Sequence, residues 1–341
     1  MPSFKPAPKS VAVLEWLAGG GLCPEGEPDN SLAPLLNEGR QMLQCLASGF
    51  AEQGATVYSA VDQRLVTSEN SWPCDAFAHV EPVPYIEHAE QLIDIWIDVA
   101  KDCDVAIVVA PEIDQLLQNV LSEMRRRSSC ELLNCSPPFL DLACDKWKFA
   151  RHCQRSHISH PPTSLSPSFS HLDMRSSPAS KLVCKSRFGA GCEDLYLAAN
   201  SAALNSVAPS LRQSELAVIQ EWIEGQAFSS SAIVNASNHW HWLPLVTQEF
   251  EHKEASGLQT LQYTGGRVTA APPGAPELQD LQLQLSDSFR NGARGWVSFD
   301  LVYSAERNQW FVIEANPRCT TSITELKQQV GSELFEHLLR T

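Results

Sequence analysis

Residues 105–110, VAIVVA, form an unbroken apolar run of six. A bilayer-spanning helix needs about 20 apolar residues, so this run spans nothing. Its length and β-branched content suit a strand buried on both faces, as in a parallel sheet covered by helices. The preceding chain agrees. VAVLEWL at 11–17 reads as a strand running into Gly19-Gly20-Gly21. Leu35, Leu36, Met42, Leu43, Leu46 and Phe50 fall at helical spacing, and Gly54 ends that helix. Residues 56–61 are a second short strand. Residues 88–101 repeat Leu92, Ile93, Trp96, Ile97 and Ala100 at helical spacing, and 113–127 are helical again. Strand and helix alternate three times, which predicts a parallel, doubly wound N-terminal domain. Ligands in such sheets sit at the carboxyl ends of the strands. Two features fall there, Glu15 with the glycine triplet and Pro111-Glu112, and both also read as ordinary strand-to-helix turns.

The rest of the chain reads differently. Residues 156–180 are rich in Ser, Pro and His, an expected connection with little regular structure that marks a domain change. Short strands are expected at 181–185, 217–222, 228–234 and 240–246. Pro276 suits a helix N1 position, with Leu278, Leu281, Leu285 and Phe289 on one face. Strands at 295–303 and 310–315 precede a terminal helix ending near Leu339. A length of 341 residues accommodates two or three domains, and 43% hydrophobic residues suffice for real cores.

Lys and Arg total 25 against 40 Asp and Glu, a net charge of −15. That balance argues against general nucleic-acid binding and against adhesion to an anionic membrane. The first ten residues are polar and Glu15 interrupts the apolar stretch behind them, so no secretory h-region is expected. The eleven cysteines, an odd count, read as reduced thiols of a cytoplasmic protein. Cys130, Cys135, Cys144 and Cys153 lack the short knuckle of a structural zinc site, so none is expected. The triplets at Asn134 and Asn235 would accept sugars only in a secreted protein.

The stretch 295–318, GWVSFDLVYSAERNQWFVIEANPR, carries the most chemistry. Two strands flank a polar tip, which predicts a hairpin. If Asp300 faces Glu314, Tyr303 faces Phe311 across a loop of normal length. The two carboxylates then stand on one face with Cβ atoms about 4.5–5.5 Å apart, and they repel unless a cation joins them. Alternation puts Asn316 on the same face. Asp, Glu and Asn offer only oxygen, which suits Mg²⁺ or Mn²⁺ rather than zinc. Arg318 follows Pro317, placed to reach an anion held by the metal. The competing reading is a hairpin with solvated acids at a sheet edge; apolar Phe299, Leu301, Val312 and Ile313 argue for a central one.

Two weaker features stand beside it. In KLVCKSRFGAGCED at 181–194 an apolar strand ends in Lys185, and Gly189 and Gly191 follow in a short loop. Glycines let backbone N–H groups approach phosphate oxygens, and the lysine supplies a point charge, although the Walker order is absent. In AVIQEWIEGQAFSSS at 217–231 a strand breaks at Gly225 and resumes, a hinge that could offer backbone groups to a purine edge.

In this order these sites resemble the ATP-grasp superfamily of ATP-dependent carboxylate–amine ligases. The matching stretches are DKWKFA at 145–150, VCKSRFGAGCED at 183–194, QEWIEG at 220–225, and VSFDLV with VIEANPR within 297–318. EWLAGGG at 15–21, LLNEGRQML at 35–43, VAPEID at 109–114 and YTGGRV at 263–268 resemble the tyramine–glutamate ligases of methanofuran biosynthesis. The resemblance implies ATP and Mg²⁺ (or Mn²⁺) as cofactors and an amino acid and an amine as substrates. It implies a doubly wound domain over 1–142, a small ATP-grasp subdomain with the glycine-rich loop over 143–222, and a C-terminal subdomain with the metal site over 223–341. Lys146 and Lys185 match the phosphate-contacting lysines, beside Gly189 and Gly191. Glu221, Trp222 and Ile223 match the hinge whose main chain meets adenine. Asp300, Glu314 and Asn316 match the metal ligands, and Arg318 the arginine that steadies the transferring phosphoryl group. Ala227 stands where many members carry a ribose-binding acid, with Glu224 or Gln226 as substitutes. A homodimer is the default assembly.

Overall fold

The structure is a computed structural model that describes residues 9–21, 33–66, 75–166, 181–191, 195–200, 203–206, 215–255 and 258–340. Its N-terminal part alternates as the periodicities predict: β1 (Ser10–Glu15), α1 (Ala33–Glu52), β2 (Thr56–Asp62), β3 (His79–Val83), α2 (Ala89–Ala100), β4 (Val105–Val109), α3 (Leu116–Arg127) and β5 (Glu131–Leu132). The five strands are parallel in the order β3-β2-β1-β4-β5. Every residue of β4 is buried because helices cover both faces. Val11 and Val13 share a core with Leu43 and Leu46 of α1, while Ala12 and Leu14 face Trp96 of α2 and Leu121 of α3.

Three details differ from the sequence reading. The first strand stops at Glu15, because the Gly19 N–H turns back onto the Glu15 carbonyl at 2.8 Å. The helix expected from residue 113 begins at Leu116, after a tight turn with Asp114 and Gln115 at φ 47° and 64°. Strands β3 and β5 are not in that reading: β3 is an edge strand containing Pro82, half-exposed and without clean alternation, and β5 at the other edge is only two residues long.

After α4 (Pro137–Ala143) and α5 (Lys146–Arg155) come β6 (Thr163–Leu165), β7 (Leu182–Ser186), β8 (Tyr196–Ala198) and β9 (Ala217–Glu221). Then follow β10 (Gln226–Val234), β11 (Trp240–Trp242), β12 (Leu245–Thr247), β13 (Glu249–Ala255), β14 (Leu258–Gly265) and β15 (Val268–Thr269). The chain closes with α6 (Leu278–Ser288), β16 (Gly295–Ser304), β17 (Gln309–Asn316), α7 (Ile323–Val330) and α8 (Glu333–Leu339). One sheet runs β13-β14-β8-β7-β9-β6, and the other β15-β12-β10-β16-β17, with β11 also on β10. The first thus recruits the hairpin 249–265 from beyond β10. That hairpin was not foreseen, since EFEHKEA and LQTLQYTG carry no sustained apolar face. The strand expected over 240–246 is two, interrupted at Pro244, which has no N–H to donate. Pro276 lies before the N-cap Glu277 and not at N1, and Gly331 splits the terminal helix. Of the connection 156–180, residues 167–180 lie outside the described residues.

The N-terminal and C-terminal sheets share their cores. One cluster joins Leu14 and Val108 through Phe139 and Phe149 to Phe228, Phe299 and Val312; another joins Val13 and Phe50 to Trp296, Phe335 and Leu338. The middle sheet has a small core of its own around Cys184, Ala217 and Ile219. The eight described cysteines are buried and unpaired, and burial pushes Cys45 and Cys135 up to about 12, thiols with no thiolate character. Among the described residues no helix is long and apolar enough to cross a membrane.

Asn134 is buried, and its side chain imitates a strand. Its Oδ1 accepts from the Val108 N–H at 2.9 Å and its Nδ2 donates to the Val108 carbonyl at 2.8 Å. Asn134→Leu leaves both backbone groups of β4 unpaired, at about 1–3 kcal/mol for each. Urea denaturation should show a loss of at least the lower figure; an unchanged midpoint would refute the strand-mimicking role.

Candidate active site

β16 and β17 pair in the expected register at Asp300 and Glu314, and Ser298 faces Asn316. Beyond Asp300 the register shifts by one residue: Leu301 faces Val312, and Tyr303 faces Trp310 rather than the expected Phe311. The extra residue, Ile313, makes a β-bulge. Instead of continuing the ladder without a break, the bulged strand turns to the segment before β6, where the Val312 N–H donates to the Ser159 carbonyl at 2.9 Å. β16 is an inner strand, with Ser229 of β10 opposite Asp300, whereas β17, which carries Glu314, ends the sheet, so the hairpin is not the fully central one expected.

The opposed carboxylates are kept in different electrostatic states. Asp300 accepts from Gln248 Nε2 at 3.0 Å and from Asn316 Nδ2 at 3.2 Å. Burial, then the charge of Glu314, pushes Asp300 up to about 7. Burial also acts to raise Glu314, but Lys146 and Lys185 outweigh it and hold the group at about 2. Lys185 Nζ lies 3.2 Å and Lys146 Nζ 3.6 Å from the same Glu314 Oε2. Lys185 is only 5% exposed, which excludes a free surface lysine at a strand end. Lys146 also donates to the Gly189 carbonyl at 2.5 Å, joining the start of α5 to the glycine loop. Gly191 has φ +64°, a backbone region that suits glycine, and residues 192–194 of that loop lie outside the described residues.

Asp145 organises this corner, and the sequence reading assigned it no role. It caps α5 by accepting from Trp147 and Lys148 N–H groups. It also receives a bidentate pair from Arg187, Nε at 2.8 Å and Nη2 at 2.7 Å. One residue thus locks the loop after β7 to the helix bearing Lys146. His160 lies beneath, with its Nδ1 2.7 Å from the Pro161 carbonyl; burial, then Lys185, holds its pKa down at about 4, so it is neutral. Gln248 and Asp145 carry no local signal: an isolated Gln and an ordinary helix cap look alike in any sequence.

At the hinge the main chain is more committed than expected. Glu221 N–H donates to the Pro162 carbonyl and Trp222 N–H to the Lys181 carbonyl, both at 2.9 Å. Among the described residues only Ile223 of the three keeps its N–H without a protein partner. The Glu221 carboxylate is taken by Arg307 at 2.6 Å, and Glu224 by Lys181.

Arg318 does not stop at the hairpin. Its Nε donates to Glu112 Oε1 at 2.9 Å, at the carboxyl end of β4, and it sits in the field of Glu15 at the end of β1. The sheet order reverses between β1 and β4, so both acids of the N-terminal turns lie at the topological switch point.

Residues 143–322 match the ATP-grasp domain and residues 55–138 the pre-ATP-grasp domain. The chain belongs to the ATP-grasp family. Its fold is similar to an ATP-grasp superfamily protein of Archaeoglobus fulgidus, with a TM-score of 0.65 and 20% identity over 96% of this chain and 88% of that one. The biotin carboxylase of Campylobacter jejuni gives 0.67 and 11% over 98% and 71%. The D-alanine–D-alanine ligase of Bacillus anthracis gives 0.58 and 13% over 97% and 96%. No curated protein shows significant sequence similarity.

A carboxyl raised by the fold favours the protein at low pH and costs stability once ionised. Asp300, raised to about 7, should therefore weaken the ligand-free protein as pH climbs from about 4 to above 7. Asp300→Asn removes that dependence, so its stability relative to the parent should be greater at pH 8 than at pH 5. Denaturation midpoints at the two pH values check this; a constant difference would contradict the electrostatic assignment.

Proposed function

We propose that the protein is an ATP-dependent carboxylate–amine ligase that works through an acylphosphate. The observation that carries this is the convergence of Lys146 and Lys185 on Glu314, opposite Asp300. Lys185 of the middle sheet, Lys146 of α5 and two carboxylates of the C-terminal sheet suit the phosphates of a nucleotide with its metal. Family membership and the ligases among its fold relatives support the same reading.

The donor set fits Mg²⁺ or Mn²⁺. Asp300 has its charge disfavoured by burial and then by Glu314, so a cation between them would relieve the repulsion. A half-turn of the Asn316 amide exchanges its nitrogen for oxygen toward Asp300. Asp300, Glu314 and Asn316 are the residues that would hold the ion, which supplies charge neutralisation for the phosphates when bound. Lys185 and Lys146 take phosphate oxygens, with the Gly189 and Gly191 loop closing over them. Ile223 N–H, with the carbonyls of Glu221 and Trp222, meets the adenine edge.

The reaction has two displacements. A substrate carboxylate oxygen attacks the γ-phosphorus, the bond to the β-phosphate oxygen breaks, and ADP leaves. An amine nitrogen then attacks the acyl carbon, the C–O bond to phosphate breaks, and the nitrogen loses a proton to give the amide. Arg318 steadies the transferring group with its planar fork. Positioning and charge neutralisation carry the catalysis.

The narrower reading joins glutamate to tyramine or a similar amine in methanofuran-type one-carbon cofactor synthesis. EWLAGGG at the switch point and YTGGRV at the end of β14 support it. The proposed setting is cytoplasmic, the partners are small molecules, and the proposed assembly is a homodimer. A screen of amine and amino-acid pairs for ADP release, with product mass, tests the whole reading: no ADP release with any pair would remove it.

Asp300→Asn and Glu314→Gln should each abolish ADP release, and near-parental turnover at limiting Mg²⁺ would exclude them as metal ligands. Lys185→Ala should weaken ATP binding by about 1.5–3 kcal/mol, on the order of ten- to a hundredfold. Nucleotide titration checks this, and an unchanged affinity would remove Lys185 from the site. Arg318→Lys keeps the charge but loses the fork, so kcat should fall more than the KM for ATP rises. Full kcat in that variant would leave phosphoryl transfer to the lysines.

A further inference from the structure

Residues 238–242 read NHWHW, histidine alternating with tryptophan into β11. Strand geometry sends alternate side chains to opposite faces. Trp240 and Trp242 stack on each other and pack against Phe299. His241 therefore turns the other way, toward α8, which packs against β10. There its ring stacks on that of His337, with centroids 3.8 Å apart and planes at 22°. Ile233, Asn235, His239, His241, His337 and Arg340 line a cleft of about 170 Å³, far above the roughly 10–15 Å³ that admits one water.

The lining is one-sided. No carboxylate lines this cleft, in a chain whose net charge is −15. Asn235 Oδ1 is spent on the Ser237 and His239 N–H groups, at 3.0 and 2.9 Å, which leaves the side-chain amide nitrogen as a donor. Among the described residues the three imidazoles have no hydrogen-bond partner in the protein. Arg340 gives one nitrogen to Glu336 and has further N–H groups to offer. The acids nearby are Glu336, so committed, and Glu333, which is exposed and lies in the field of His241. Burial, then the charges of His337 and His239, holds the His241 pKa below its usual value. Two charged imidazoles face to face repel, so an anion beside them favours their protonation.

A metal ion does not suit the pair. Imidazole lone pairs lie in the ring planes, and nearly parallel rings 3.8 Å apart cannot converge theirs on one ion at about 2.0–2.1 Å. Among the described residues no three His, Cys, Asp or Glu are placed to hold one. Parallel rings can instead present N–H groups side by side, one to each of two oxygens. We propose that the cleft between β11 and α8 binds a phosphate-type oxyanion, held by His241, His337 and Arg340, with the Asn235 amide and His239 at its rim. The site is separate from the carboxylate pair. His241 stands opposite Ile233 and Asp300 opposite Ser229, about 13 Å apart along β10.

The test follows the histidine ring resonances of the full chain by NMR. Sulfate is the first probe, since its charge is the same at pH 6 and pH 8, with sodium chloride at equal ionic strength as the control. Saturating sulfate should raise the pKa of His241, and its affinity should be roughly tenfold higher at pH 6 than at pH 8. His337→Gln should weaken sulfate roughly tenfold at pH 6, whereas Lys185→Ala should leave the shifts in place. Arg340→Gln, at the exposed end of α8, should weaken it by a similar factor and serves if His337→Gln does not fold. Inorganic phosphate and AMP are titrated in the same way. Tighter phosphate assigns the free ion, tighter AMP a nucleotide's phosphoryl group, and either supports the site. The proposal is overturned if sulfate moves neither His241 nor His337, or if its affinity is equal at the two pH values. It is also overturned if Lys185→Ala abolishes the shifts, or if neither α8 variant weakens sulfate.

Discussion

Two carboxylates face each other across β16 and β17, and nothing in a hairpin alone would keep them there. Like charges in direct cross-strand contact destabilise a sheet. The repulsion is answered from elsewhere in the chain: Lys185 from β7, Lys146 from the start of α5, Gln248 from the segment before β13. Each of these has to arrive at the same place, so the middle sheet, α5 and the C-terminal sheet meet around one charge problem. The asymmetry matters for chemistry. Glu314 is held ionised by the lysines, while Asp300 has its charge disfavoured by burial and by Glu314.

The packing explains how such an arrangement can be both rigid and open. The N-terminal and C-terminal sheets share continuous cores through Phe139, Phe149, Trp296 and Phe335, so Arg318 is carried on a rigid platform against Glu112. The middle sheet, which supplies Lys185 and the glycine loop, has a small separate core. Its polar ties to the platform run through Arg187 to Asp145, Lys146 to Gly189 and Arg307 to Glu221. An element held mainly by such ties can shift at lower cost than one sharing the main core.

Much of this was legible beforehand, for identifiable reasons. Strands β1, β2 and β4 announce themselves because helices bury both faces, and α1 and α2 because one face is apolar. The Asp300–Glu314 register follows from counting across a short loop between two apolar strands. The bulge at Ile313 did not follow, because it depends on Ser159, a residue from another element that draws the Val312 N–H away. The hairpin 249–265 was missed because its strands are largely wet and show no alternation.

By itself, then, the sequence determined what is local: periodicity, the pairing of two carboxylates in one hairpin, and a lysine at the end of a strand. Each of these depends on backbone geometry within a few residues. Which distant groups meet was decided only by the tertiary structure. Arg318 reaches Glu112 across 206 positions, Asp145 takes both a helix end and Arg187, and two of the three hinge N–H groups are spent inside the protein. These meetings are set by how shared cores dock one sheet on another, and docking is a property of three-dimensional packing that no spacing along the chain encodes.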